Sequence, residues 1–293
     1  MIQFKKVRFL AAFAASLALP FATYAQGQTP AQPSPPKRPA ILIDNWGTVP
    51  DVQYMKQLQA AGFEVDAINH RELTWERLKQ YNALVLLDFP QEGTVKNGPE
   101  GGPGSGPNLE QTLALADQFL AAGGGVMINL VQHGNGAVFY NTTQKALARW
   151  GARRPQERVV LPPDQIVRHP RLGMPFFHTA NVAAGPVSEG VKGVWYPLGG
   201  YSWQMVAGPI DVDATWNVVL RAPKGSRTEP IPLPERKPGI PYYDAPFVRP
   251  AGVTEPAVFA IRDLGPGRLA LFHASPKFHF ESGLSWVHNG AML

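Results

Sequence analysis

Short apolar runs recur along the first half of the chain, separated by segments whose apolar residues follow helical spacing. Residues 38–44, with Ile41, Leu42 and Ile43 at their centre, read as a strand buried on both faces. Val52, Met55, Leu58, Gln59 and Phe63 then follow a helical period, with Pro50 suited to its first turn and Gly62 to a left-handed cap. Residues 63–68 alternate as a second strand. Thr74 opens a short helix in which Arg77 occupies the position where a capping box usually has Glu. Residues 83–88 are a third, almost wholly apolar strand. Asn108 opens the clearest helix, because Gln111 three residues later completes a capping box. Leu109, Leu113, Leu115, Ala116, Phe119 and Leu120 form its apolar face; Gly123 to Gly125 stop it, and Val126–Val131 follow as a fourth strand.

This alternation of strand and helix with short connections predicts a doubly wound parallel sheet with right-handed crossovers. Residues 142–150 add one more helix, ended by Gly151. Beyond it the helices stop. Residues 158–161, 193–196, 217–221, 257–262 and 268–273 are strand candidates, the last two joined as an antiparallel hairpin through 263–267. The chain is therefore α/β, with an antiparallel extension in its C-terminal half. Residues 222–256 are rich in proline and read as a surface excursion. Residues 89–107 are rich in Gly and Pro and read as a long loop, either a lid over the site or an insertion without a role.

In such sheets ligands bind beyond the carboxyl ends of the parallel strands. Residues 119–136 bring Asn129, Gln132, His133 and a Gly134/Gly136 turn to that edge, and Asp44 and Asp88 end two more strands there. His133 has the chemistry of a general base or a ligand-orienting donor, or is a plain loop histidine. The two carboxylates suit sugar hydroxyls or a shared proton, or simply cap and anchor loops. Trp46, Trp195, Tyr196, Tyr201 and Trp203 offer aromatic faces of the kind that stack on sugars, although large aromatics mostly fill cores. His273, His279, Glu281 and His288 gather histidines and a carboxylate near the end of the sequence, but match no standard metal motif. No metal and no cofactor is expected.

The first 25 residues change the picture of where this happens. Lys5, Lys6 and Arg8 precede an apolar run from Phe9 to Ala22 broken only by Ser16 and Pro20, and Thr23 and Ala25 supply the small residues of a cleavage site. This reads as a signal peptide cleaved before Gln26, with a Pro/Gln-rich linker over 26–38 and one domain over 39–293. Cleavage removes three cations and no anions, lowering the formal charge from +5 to +2, so the basic balance gives no case for nucleic acid. The mature chain is expected to be periplasmic or secreted, without stable membrane insertion. The absence of cysteine rules out a disulfide framework, a thiolate zinc site and a cysteine nucleophile, and suits a bacterial periplasm. Residues 284–293 read as a terminal helix cut short, the mark of a fragment.

The pattern resembles the class I glutamine amidotransferase-like superfamily, nearest its ThuA-like (trehalose-utilisation-type) branch. The matching pieces are the opening strand 41–44, the helix-to-strand segment 60–65, and residues 81–87, 119–128, 147–153 and 265–272. The resemblance implies a flavodoxin-like fold. It departs at the nucleophile, since amidotransferases place a cysteine in the turn after the strand corresponding to 126–131 and this chain has none. Asn129 and Gln132 cannot replace a thiolate. The expectation is a carbohydrate or related small ligand at the C-terminal edge, bound by Trp46, Asn129, Gln132 and His273. A sugar-processing enzyme using His133 with Asp44 or Asp88 as acid and base is one alternative, and a catalytically dead interaction module is another.

Overall fold

The computed structural model describes residues 38–45, 52–87, 89–90, 106–130, 137–168, 175–198, 208–231, 249 and 252–273. Strand β1 (Ala40–Asn45) leads to helix α1 (Val52–Ala60), β2 (Glu64–Asn69), α2 (Trp75–Leu78), β3 (Ala83–Leu87), α3 (Leu109–Ala121), β4 (Gly125–Asn129) and α4 (Ala137–Ala148). There follow β5 (Ala152–Arg153), β6 (Glu157–Val160), β7 (Val167–Arg168), β8 (Pro175–Thr179), β9 (Val194–Pro197), β10 (Asp211–Val212), β11 (Asn217–Arg221), β12 (Arg227–Pro230), β13 (Ala257–Leu264) and β14 (Gly267–Phe272). The main sheet runs β11-β13-β14-β4-β3-β1-β2. From β2 to β14 all neighbours are parallel, while β13 and β11 are antiparallel additions. The parallel part has the flavodoxin-like order, with its switch point between β1 and β3.

Local chemistry sets the ends of these elements. The Asn108 side chain accepts from the Gln111 N–H at 3.0 Å, and Gln111 Oε1 accepts from the Asn108 N–H at 2.9 Å, so the capping box is complete. At the other end Gly123 adopts φ +91°, Gly123 N–H reaches Leu120 O at 2.9 Å and Gly124 N–H reaches Phe119 O at 2.8 Å. That pair of bonds is a Schellman motif, and its left-handed residue favours glycine. The chain turns from helix to strand within three residues.

The two faces of the sheet have separate cores. Ile41, Ile43, Val85, Leu87 and Phe272 point to one face and pack with Leu58 of α1 and with Phe177 and Tyr196 of the β8–β9 pair. Leu42, Leu84, Leu86, Val126, Ile128 and Leu271 point to the other and pack with α2, α3 and α4 through Leu78, Leu113, Phe119 and Leu147. Alternation along each strand assigns every residue at the strand ends to one face or the other.

The structure departs from the sequence reading in several places. Helix α4 begins at Ala137, five residues before the expected start. Strand β8 is absent from the expected set, although Phe176 and Phe177 are fully buried. Part of the expected 222–256 excursion is sheet: β12 pairs antiparallel with β6, Thr228 opposite Val159, and Thr228 is buried. Phe89, at the start of the expected loop, is a core residue against α3, whereas 91–105 lie outside the described residues.

Helix α3 ends directly on β14. A Cβ on Gly267 would come within 2.7 Å of Leu120 Cα and 2.8 Å of Gly124 O, and closer still to Leu120 O. All three are backbone atoms that cannot swing aside. Gly267→Ala is therefore expected to destabilise the fold by about 1–3 kcal/mol through forced separation of helix and sheet. Urea denaturation would check this, and an unchanged midpoint would mean that α3 does not rest on the strand.

Candidate functional site

The parallel strands β1, β3, β4 and β14 all end at one edge, and register fixes what each presents there. Asp44 lies level with Leu86 and Ile68, on the face covered by α3. Asn129 lies level with Leu87 and Phe272, on the opposite face. His273 follows Phe272, so its side chain returns to the face of Asp44. The expected site residues at this edge are thus divided between two sides of the sheet.

Asp44 is 1% exposed and stands at the switch point. Its Oδ2 accepts from His70 Nδ1 at 2.6 Å, while its Oδ1 is buried with no hydrogen-bond partner among the described residues. His70 starts the one-turn helix that ends β2, where Asn69 Oδ1 accepts from the Arg71 N–H at 3.2 Å. His70 Nε2 donates to Pro107 O at 2.8 Å, just ahead of α3. Burial pulls the imidazole down, but the hydrogen bond and charge of Asp44 and the Pro107 carbonyl outweigh it and raise the group above its ordinary value.

Asn129 is equally buried, and its Oδ1 likewise has no hydrogen-bond partner. His273 is 1% exposed; its Nδ1 donates to Pro209 O at 3.2 Å, which leaves Nε2 as a bare acceptor with no partner. Burial, and then the Arg154 guanidinium, push this imidazole down to about 3 against the opposing Pro209 carbonyl. The fully buried Tyr196 hydroxyl lies 2.9 Å from Gly208 O and 2.5 Å from His273 O, pinning the backbone beyond β14 to β9. Burial pushes Tyr196 well above its ordinary value, so it stays a neutral donor.

Behind His273 the antiparallel extension holds a second polar cluster. Glu157 of β6 is 2% exposed and takes a two-pronged bond from Arg249, Nε at 3.0 Å and Nη2 at 2.6 Å, plus the Arg249 N–H at 3.0 Å. Burial alone would raise this carboxyl, but the Arg249 bonds and a Thr228 bond lower it. Arg154, also 2% exposed, follows β5, whose partner β10 starts at Asp211, two residues after Pro209.

Among the other residues singled out in the sequence, Trp195 and Tyr196 are buried. Trp46, Asp88, Gln132, His133, Tyr201, Trp203, His279, Glu281 and His288 lie outside the described residues. Among the described residues no three His, Asp or Glu side chains come together as a metal site. The sequence reading did not select His70, Arg154, Glu157 or Arg249. His70 was within reach of topology: β1 and β2 are parallel neighbours, so the residue just past β2 meets the end of β1. The other three meet partners through pairings that local patterning does not encode.

No family model matches the chain, and no curated protein matches it in sequence. Solved structures are similar to it at low identity. A cytoplasmic protein from Salmonella typhimurium LT2 is 12% identical with a TM-score of 0.47, covering 85% of this chain and 94% of that one. The N-terminal domain of mmIFT52 is 12% identical with a TM-score of 0.46, covering 83% and 92%. A putative ThuA-like protein from Bacteroides uniformis is 13% identical with a TM-score of 0.38, covering 84% and 86%. The fold class follows from the strand order itself.

Proposed function

We propose that this chain is an exported ThuA-like domain of the class I glutamine amidotransferase-like superfamily that binds a carbohydrate or related hydroxyl-rich small ligand at the C-terminal edge of its sheet. One observation carries the ligand reading: among the described residues, Asp44 Oδ1, Asn129 Oδ1 and His273 Nε2 are buried acceptors without a donor, all at the ends of parallel strands. Buried polar atoms are nearly always partnered, and strand ends with spare lone pairs suit a ligand rich in O–H donors. The charged start of the sequence supports export. The lack of cysteine removes the glutaminase nucleophile. The acid–base alternative rests on His133 with Asp44 or Asp88; His133 and Asp88 lie outside the described residues, and no observation favours it over binding.

The test is a thermal-shift screen of the chain from Gln26 against mono- and oligosaccharides and polyols, with Asn129→Leu alongside. A ligand at a hundred times its Kd stabilises the native state by about 2.7 kcal/mol. For a domain of this size that is a rise of about 5–10 °C in Tm. Asn129→Leu removes a buried acceptor that has no partner, so its own stability should match or exceed wild type. It should nevertheless lose most of the ligand shift. A well-folded protein that no hydroxylated compound shifts would sink this reading.

A further inference from the structure

The ring of His70 is surrounded by acceptors. Nδ1 faces the Asp44 carboxylate at 2.6 Å and Nε2 faces Pro107 O at 2.8 Å. Thr112 Oγ1 lies 3.3 Å from Nε2, but its single hydrogen goes to Asn108 O at 2.8 Å, so it too turns a lone pair to the ring. Neither a carboxylate nor a carbonyl can donate, so both ring nitrogens must carry protons. A neutral imidazole has only one N–H, and one of the two short contacts would then set lone pair against lone pair.

We propose that His70 is a proton-controlled latch that, when charged, ties Asp44 at the switch point to the start of α3, and on losing its proton lets the α3 end go. The carboxylate holds its N–H more strongly than a carbonyl does, so Nδ1 keeps its proton and the bond to Pro107 breaks. Asp44 is the one charged group in contact with the ring among the described residues. On the elements packed around it, Arg71, Glu72 and Glu110 are exposed, and Arg77 pairs with Glu72 at 2.8 Å. On β2 itself, Asp66 lies level with Leu42 on the same face as Asp44, is exposed and accepts from Tyr81. The positive end of the α3 dipole opposes the charge, which Asp44 and the Pro107 carbonyl offset. As a control on ligand binding the latch rests on the proposed site, because Asp44 Oδ1 is one of its acceptors.

Both states can be read without any ligand. Ring-nitrogen NMR of the wild-type protein at about pH 6.5 should show both His70 nitrogens protonated in most molecules, where a histidine of ordinary pKa is half neutral. Hydrogen-exchange protection at Thr112, Leu113 and Ala116 should fall about tenfold in wild type as pH rises through the His70 midpoint, the scale of one charge-assisted bond. His70→Gln should show no such step, and Asp44→Asn should drop the midpoint below the ordinary histidine value. Thr112→Val should leave the step intact. A His70 midpoint at or below the ordinary histidine value, or a wild-type protection profile that tracks His70→Gln, overturns the latch. If His70→Gln does not fold, the ring titrations of wild type and Asp44→Asn decide alone. A sugar that binds while His70 is neutral would leave the ligand reading standing and remove only the latch.

Discussion

Acidification from pH 6.5 towards 3 is expected to cost the fold about 1.4 kcal/mol per pH unit through His273 alone. The folded imidazole refuses the proton down to about 3, whereas in the unfolded chain it takes one near 6.5. Within that window the unfolded state binds more protons, so stability present above pH 6.5 is lost as pH falls. Glu157, held below its ordinary value, adds to the loss at the acid end. His70 has the opposite sign: its raised value means that its contribution is complete below 6.5 and is lost as pH rises through the folded midpoint. Together the two histidines place the stability maximum near pH 6.5. Urea denaturation at half-unit pH steps checks this, with His273→Gln as the comparison. The variant should keep the alkaline decline and lose most of the acid one. Equal acid slopes in both proteins would mean that the ring titrates in contact with water.

Arg249→Ala is expected to remove about 3–5 kcal/mol, because it strands the Glu157 carboxylate in the core. The pair is a bidentate fork with one partner 2% and the other 11% exposed, unlike the surface pairs such as Lys79–Glu76, which contribute little. For a domain of this length the loss corresponds to a fall of about 6–20 °C in Tm. Arg249→Lys should fall between, since a lysine keeps the charge but not the fork. Glu157→Gln in the Arg249→Ala background should recover part of the loss, as an amide needs no counter-charge. The single variant should also be less defective at low pH, where the stranded carboxyl can take up a proton. A loss below about 1 kcal/mol would falsify the view that this pair anchors the extension.

What the sequence made legible follows from which interactions are local. The capping box of Asn108 and Gln111 spans three residues, and the apolar runs of β1, β3 and β4 are each explained by burial on both faces. These carried the parallel sheet, and the glycine turn at 265–267 carried the β13–β14 hairpin. Strands β5 to β12 were harder because they are two to five residues long and some, such as β8 and β12, begin or end at proline. Candidate chemistry fared unevenly. Asp44, Asn129 and His273 could be placed at the edge because strand ends follow from strand patterns. Which face each took needed the register, and the partner of Asp44 lies 26 residues away. Glu157 and Arg249 are 92 residues apart, beyond the reach of any periodicity.

The position of β14 inside the main sheet, next to its central strand β4, has a consequence for biogenesis. Strands β1 to β4 are complete once Asn129 has been made, yet the neighbour that covers the open side of β4 pairs Arg268 with Gly125. At about 5–20 residues per second, the nascent half-sheet waits on the order of ten seconds with an unpaired apolar edge. An exposed edge of that kind recruits other strands. Half-made chains are therefore the aggregation-prone species, and a chain stopped before Gly267 should require a holding chaperone that the longer chain does not.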